Sequence, residues 1–477
     1  MNPKKLFWEW MAVILALFVL IGALVIMADP FFHYHSPYTD RFFYPLDNER
    51  SQNDGIIRHF EYDAMIVGTS LTENFETTEM DALFGVQSVK VPYAGGSYKE
   101  MNDTISRALK YQSRLHTVVR ALDYGSILSE KDHMRTGEFP TYLYDQNPFN
   151  DVKYLFNRDV VFNRVVPMIY KSAKHGFEPG ITAFDEYSRW HYKSGVSEAT
   201  LDGVHVKPAG NAVHLSVTEK ERITENITQN VTSLAVDNPG VEFYYYITPY
   251  SALWWETKLE DGTIYRQIEA ERVAAELILS CENIHLYSFN NFTELTTNIN
   301  NYTDPIHYAE WINSMILKWI HEGKGLLTRE NYEAYLQEEL DFYTTYDYAG
   351  LNNQEDYEAG NDYYAAALWN EELKGVKPIA LFTEACEAEE LFVPDADDYS
   401  YLVFKADKPH NNTLPKVRVY DENDVLLAVF QTEEQTAEIG LHQYTLLLKP
   451  HNGEIQIVFD GSNDDGTGCL FSEAYLF

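Results

Sequence analysis

The 477-residue chain is predicted to be an α/β protein with a doubly wound parallel sheet, preceded by an N-terminal transmembrane helix and followed by an antiparallel β-sandwich. Three observations predict this. An uncharged apolar run opens the chain, short apolar strands alternate with helical spacing over about 62–321, and short strands separated by turn residues fill the last hundred positions.

The first element is the run Trp10–Ala28 (WMAVILALFVLIGALVIMA). At 1.5 Å per residue its nineteen residues reach about 28 Å, enough to cross a hydrocarbon core. Lys4 and Lys5 precede it and Asp29 follows, so the positive-inside bias places the N-terminus in the cytoplasm and the bulk outside. A cleaved signal peptide is the alternative, although Ile26-Met27-Ala28 fits a small-x-small cleavage site poorly. The aromatic-rich Asp29-Pro30-Phe31-Phe32-His33-Tyr34-His35 suits an interfacial belt.

Ala64–Val67, ending in Gly68, reads as a buried parallel strand, and Val86–Val91 and Val118–Leu122 as two more. Between them Ser97 and Glu100 match a capping box opening a helix to Tyr111. A Tyr- and Phe-rich insertion without clean period occupies about 129–215. Helix Thr218–Val236, strand Val241–Ile247, helix Tyr265–Leu279, strand Ile284–Tyr287 and helix Ala309–His321 complete the alternation.

Residues 1–29 are thus read as cytoplasmic tail and anchor, 30–328 as the α/β domain, 329–375 as an acidic, partly helical connector and 376–477 as the sandwich. Between Glu330 and Leu373 there are twelve acidic residues and no basic one, without EF-hand spacing. The sandwich expectation rests on runs such as Val417–Tyr420 and Ile455–Phe459. Cys386 follows its first strand and Cys469 precedes its last segment, which leaves a disulfide between them open outside the cytoplasm, whereas Cys281 reads as a buried small hydrophobe.

A formal net charge of -37 makes nucleic acid and anionic surfaces poor partners at long range. Three cysteines exclude a cysteine-built metal site, and neither a metal nor a cofactor is called for. With 45% hydrophobic residues the chain nevertheless has the material for large cores.

Two short motifs carry chemistry. Gly68-Thr69-Ser70 stands between a strand and a helix, where Ser70 can act as nucleophile beside amides aimed at developing negative charge. Asp304-Pro305-Ile306-His307 follows the last parallel strand; His307 can take a serine proton while Asp304 fixes its tautomer. Each alone fits a helix cap. Both lie at strand ends of one sheet, where open α/β sheets bind ligands.

Gly68-Thr69-Ser70 and Asp304-x-x-His307 resemble the first and last signature blocks of the SGNH/GDSL hydrolase superfamily. With the anchor, the insertion and Tyr93-Ala94-Gly95-Gly96-Ser97, residues 30–325 are similar to its membrane-anchored envelope members of the DltD and exopolysaccharide O-acetyltransferase-like type. The resemblance implies an SGNH-like α/β fold and a catalytic set of Ser70, His307 and Asp304. It also implies oxyanion donors from the amides of Ser70 and Gly95 or Gly96, with the Asn74 side chain as a further candidate. Thr69 replaces the family's aspartate, and Asp123-Tyr124-Gly125-Ser126 lacks its oxyanion asparagine, which favours acyl transfer over efficient hydrolysis. The implied activity is esterase or O-acyltransferase chemistry on acyl groups of envelope polysaccharide or teichoic acid. The alternative is a non-catalytic glycan-binding protein that partners a membrane-bound O-acyltransferase.

Overall fold

A computed structural model describes residues 3–135, 139–145, 147–190, 209–353 and, with gaps, 379–476. Its central sheet has six strands: β1 (Ala64–Gly68), β2 (Ser88–Pro92), β3 (Thr117–Leu122), β4 (Glu242–Ile247), β5 (Ile284–Ser288) and β6 (Leu326–Leu327). They run in the order β2-β1-β3-β4-β5-β6, all pairs parallel except the last. Every residue of β1, β2 and β3 is buried, as expected where helices cover both faces. The order reverses between β1 and β3, opening a crevice at their carboxyl ends.

Helices Glu49–His59, Thr77–Phe84, Tyr98–Tyr111, Ile264–Ile278 and Glu310–Glu322 pack around this sheet. The expected capping box is present: Ser97 Oγ accepts from the Glu100 amide, and the Glu100 carboxylate accepts from the Ser97 amide. Thr77–Phe84 is capped from elsewhere, because Asp185 of the insertion accepts from the Thr77 amide at 2.6 Å. Arg120, wholly buried in β3, donates to the carbonyls of Asn230 and Tyr98 and lies between the Tyr98 and Tyr245 rings, 5.2 and 5.5 Å from their centroids. Those contacts offset the desolvation of its charge.

The helices Glu49–His59 and Ala252–Glu260 have no counterpart in the sequence expectation, whereas Tyr332–Thr345 supplies helix where the connector is expected to be partly helical. Tyr332–Thr345 belongs to the α/β core instead of a solvated connector, since Leu336 and Tyr343 are buried in it. The remainder of the connector, 354–375, lies outside the described residues. The helix predicted over 218–236 is broken by a π-turn, Thr228–Thr232. Cys281 is half-buried, whereas Cys386 and Cys469 lie outside the described residues.

Among the described residues one helix, Pro3–Ala28, is long and apolar enough to cross a membrane. The aromatic run after it forms core instead of an interfacial belt: Phe31 and Phe32 are buried. Asp29 causes the turn, its carboxylate accepting from the amides of His33, Tyr34 and His35 and from the Tyr154 hydroxyl. The insertion, read as aperiodic, contains short helices (Val152–Leu155 and Val166–Ser172 among them) and a strand, Gly180–Ile181, paired with Phe43–Tyr44.

The C-terminal region comprises two four-stranded antiparallel sheets. Its strands are β7 (Ala380–Leu381), β8 (Glu389–Val393), β9 (Tyr401–Lys408), β10 (Lys416–Asp421), β11 (Leu426–Gln431), β12 (Gly440–Leu447), β13 (Ile455–Asp460) and β14 (Leu470–Leu476). The orders are β8-β13-β10-β11 and β12-β9-β14-β7. Alternate residues Val417 and Val419 of β10, and Ile455, Ile457 and Phe459 of β13, enter a separate core with Phe404 and Phe471, the period-2 signature of strands buried on one face.

Gly68 ends β1 under tight packing: a Cβ there would lie 2.3 Å from Thr72 Cγ2 and 2.9 Å from Ala121 Cβ. Gly68→Ala is therefore expected to cost about 1–3 kcal/mol by overpacking. Thermal denaturation reads this as a lowered midpoint, and an unchanged midpoint contradicts the packing of this turn on β3.

Candidate active site

The chain leaves β1 at Gly68, stays extended at Thr69 (φ -87, ψ -160) and enters a single 3-10 turn, Ser70–Thr72. The turn holds itself through Thr72 N–H to the Thr69 carbonyl and Glu73 N–H to the Ser70 carbonyl. Asn313 Nδ2 donates to the Leu71 carbonyl at 2.7 Å and fastens it to helix Glu310–Glu322. Ser70 is thereby left half-buried at the crevice.

The second motif comes from 237 residues away. Asp304 and His307 sit in a loop closed by a bridge between Tyr302 and Tyr308. Pro305 is pinned by Ser251, whose amide and hydroxyl both donate to its carbonyl. His307 precedes the helix instead of opening it, and Asp304 caps its own loop by accepting from the amides of Ile306 and His307, each at 2.9 Å. The other Asp304 oxygen lies 2.7 Å from His307 Nδ1. An ionised carboxylate only accepts, so Nδ1 carries the proton and Nε2 offers its lone pair. Ser70 Oγ lies 2.7 Å from that Nε2. Burial alone would raise the Asp304 pKa; the hydrogen bonds from His307 and the loop amides outweigh it and hold the carboxyl below its ordinary value.

The insertion supplies a wall that sequence reasoning missed. Trp190 stands edge-on to His307, ring centroids 5.8 Å apart. Its indole N–H donates to the Ser70 carbonyl at 3.2 Å, and its backbone N–H to Asn74 Oδ1 at 3.0 Å. Nothing local in Glu186-Tyr187-Ser188-Arg189-Trp190 signals this, because the partners lie more than a hundred positions away. Lys90 of β2 braces the same region, donating to the carbonyls of Glu73 (2.5 Å), Phe75 (2.8 Å) and Asp185 (3.1 Å). Burial pulls its ammonium down to about 8.

The candidate oxyanion groups divide. The Ser70 amide begins the turn beneath Oγ. Gly95 lies after β2 at φ +60, with Arg135 Nη1 2.7 Å from where a Cβ would stand. Gly96 is a correction: its N–H is spent on the Tyr93 carbonyl at 2.7 Å. Asn74 is buried; its Oδ1 accepts from the Trp190 amide, and its Nδ2 is a buried donor with no hydrogen-bond partner among the described residues. Asp123, after β3, gives no donor, since its two oxygens accept from the hydroxyls of Thr69 and Tyr250, each at 2.9 Å. Among the described residues no group of three or more His, Cys, Asp or Glu side chains is arranged to hold a metal ion.

No family model matches the chain, and no curated protein matches it. Among solved structures it is similar to a two-domain esterase active on acetylated mannans, co-crystallised with mannopentaose (8% identity, 87% of this chain and 90% of that one, TM-score 0.24). It is also similar to a Streptococcus pneumonia protein provisionally described as a platelet activating factor (12%, 58% and 92%, 0.27). A third likeness is to a family 6 carbohydrate-binding module from Clostridium cellulolyticum, determined with xylose (8%, 22% and 92%, 0.16). The chain spans only 12–19% of the length of two glycoside hydrolases and a bacteriophage tailspike enzyme that it also matches.

A pair of acids, Glu73 buried and Glu49 half-buried, joins the loops after β1 and β2. Burial, then the hydrogen-bonded Glu49 carboxyl, push Glu73 from 4.5 up to about 9, against the pull of Lys90 and Arg50. Glu49 in turn accepts from the Ala94 amide at 2.7 Å. With the folded pKa above the unfolded one, this contribution to stability is complete below about pH 4.5 and is lost as pH rises through about 9. Glu73→Gln should accordingly gain thermal stability relative to the parent as pH goes from 5 to 9. A difference in melting temperature that stays constant across that range contradicts the raised Glu73 pKa.

Proposed function

We propose that the chain is a membrane-anchored, extracytoplasmic serine esterase or O-acyltransferase acting on acyl groups of envelope polysaccharide or teichoic acid. One observation carries this function. Ser70 Oγ, His307 and Asp304 form a chain of two 2.7 Å contacts, one on each imidazole nitrogen.

In the reaction, His307 Nε2 removes the Ser70 hydroxyl proton as Oγ bonds to the ester carbonyl carbon. Asp304 stabilises the resulting imidazolium. Collapse of the tetrahedral intermediate breaks the ester C–O bond, and His307 returns the proton to the departing alcohol. An acceptor hydroxyl, or water, then repeats the steps in reverse on the Ser70 ester. The amides of Ser70 and Gly95 are the proposed oxyanion donors; with Gly96 spent and Asp123 accepting, the donor set is sparse. Losing one such donor costs on the order of 100–1000-fold in rate, which supports transfer to a well-positioned acceptor over general hydrolysis. The edge-on Trp190 gives the site an apolar flank suited to a sugar ring.

The sparse donor set also supports a second reading, a glycan-binding protein that presents substrate to a membrane-bound O-acyltransferase. A fluorophosphonate probe separates the two. Catalysis requires labelling of Ser70 that disappears in His307→Ala; failure to label, with acyl-ester turnover identical in Ser70→Ala, overturns it. Asp304→Asn, which removes the acceptor that fixes the tautomer, should lower turnover by on the order of 10³–10⁴-fold while leaving the melting temperature close to that of the parent.

A further inference from the structure

The anchor helix is exposed all round only as far as Leu20; beyond it the exposed side is confined to Ala23, Ile26 and Met27. Residues 3–20 are exposed, but Gly22, Val25 and Ala28 are buried against the rest of the chain. From Leu6, beyond the two lysines, to Leu20 is fifteen residues, or about 22 Å of helix. A hydrocarbon core is about 30 Å thick and needs roughly twenty residues. The missing depth falls on residues 21–28, and whatever packs beside them shares it.

What packs there is the insertion. Phe156 meets Phe18 edge-on with ring centroids 5.1 Å apart, and lies against Gly22, where a Cβ would stand 3.8 Å from its Cζ. Around Phe156 the segment 149–170 exposes large apolar side chains: Phe149 (88%), Val152 (53%), Phe162 (63%), Val166 (48%) and Tyr170 (64%). Left in water, this surface would be a liability. Its charge also departs from the rest of the chain. Residues 149–175 hold Lys153, Arg158, Arg164, Lys171 and Lys174 against only Asp151 and Asp159, a basic stretch in a chain of net charge -37. Lys153, Arg158, Lys171 and Lys174 are exposed, and Lys174 lies 4.6 Å from the Tyr170 ring centroid. Apolar side chains bordered by lysine and arginine suit a surface lying at the headgroup–acyl boundary of an anionic bilayer.

We propose that the face formed by residues 149–174 of the insertion is a second membrane contact, seated in the outer leaflet beside the anchor helix. It rests on the anchor reading above and is independent of Ser70. The bilayer is favoured over a second protein because the face is continuous with a helix that already requires lipid. The insertion that carries it also contributes Asp185 and Trp190 beside the candidate site. Lipid contact would therefore hold that site at a fixed height and orientation above the membrane.

The test uses the full chain in phosphatidylcholine–phosphatidylglycerol vesicles containing a phosphatidylcholine with an acyl-chain diazirine. After irradiation, lipid adducts are mapped by peptide mass spectrometry. Adducts are expected on peptides from both 3–28 and 149–170. Combining Phe149→Ser, Phe162→Ser and Tyr170→Ser, all at exposed positions, should lower the second set roughly fivefold or more while the first is unchanged. Adducts on the anchor alone overturn the second contact and leave the anchor intact, whereas adducts on neither overturn both. A lysine-reactive cross-linker joining the segments of two copies, without lipid adducts on them, assigns the face to self-association and overturns the proposal as well.

Discussion

The central parallel sheet is covered on both faces, and that constraint governs the rest of the α/β domain. Residues of β1, β2 and β3 are buried throughout, so the sheet can meet a ligand only at a strand end. Ser70 follows β1, Gly95 follows β2, Asp123 follows β3 and the Asp304–His307 loop comes after β5; each is delivered to the same edge by a different strand. The ladder hydrogen bonds fix the spacing of those edges far more rigidly than any loop could. The 2.7 Å contact between Ser70 and His307, 237 residues apart, is a consequence of that rigidity.

Loops at this edge still need holding, and the molecule does so with buried polar groups whose partners come from distant segments. Lys90 gathers three carbonyls from the Ser70 loop and the insertion. Asp185 caps a helix that has no cap of its own. Glu73 and Glu49 connect the loops after β1 and β2, the first by its hydrogen bond to the second and the second by accepting from the Ala94 amide. Each buried charge is costly unless paired. Grouping them around one edge makes the insertion part of the candidate site instead of an appendage, since Lys90 and Asp185 hold the segment just before Trp190, whose indole N–H reaches the Ser70 carbonyl.

The junction between anchor and domain follows the same logic. Asp29 collects three amides and a hydroxyl, converting a helix end into a reversal that buries Phe31 and Phe32. That turn brings the insertion against the helix at Phe18 and Gly22. The net charge of -37 is thus unevenly arranged, with a basic, aromatic stretch located where the chain and its apolar helix meet.

The sequence by itself determined the order of elements, because apolar periodicity reports burial locally: the five parallel strands, the capping box at Ser97 and the alternating strands of the sandwich follow from it. It also determined which residues were capable of the chemistry, since a serine after a strand and an aspartate three positions before a histidine are visible as residue types. Only the tertiary structure decided which of them meet. It joined Ser70 to His307, spent the Gly96 amide on Tyr93, buried Asn74 under Trp190 and turned the run Phe31–Phe32 into core. It also drew Tyr332–Thr345, acidic enough to read as solvated, into the α/β core through Leu336 and Tyr343. The physical reason is the range of the interactions. Periodicity and capping act within a few residues, whereas partnership among buried polar groups is settled between segments a hundred or more residues apart, where sequence spacing carries no distance.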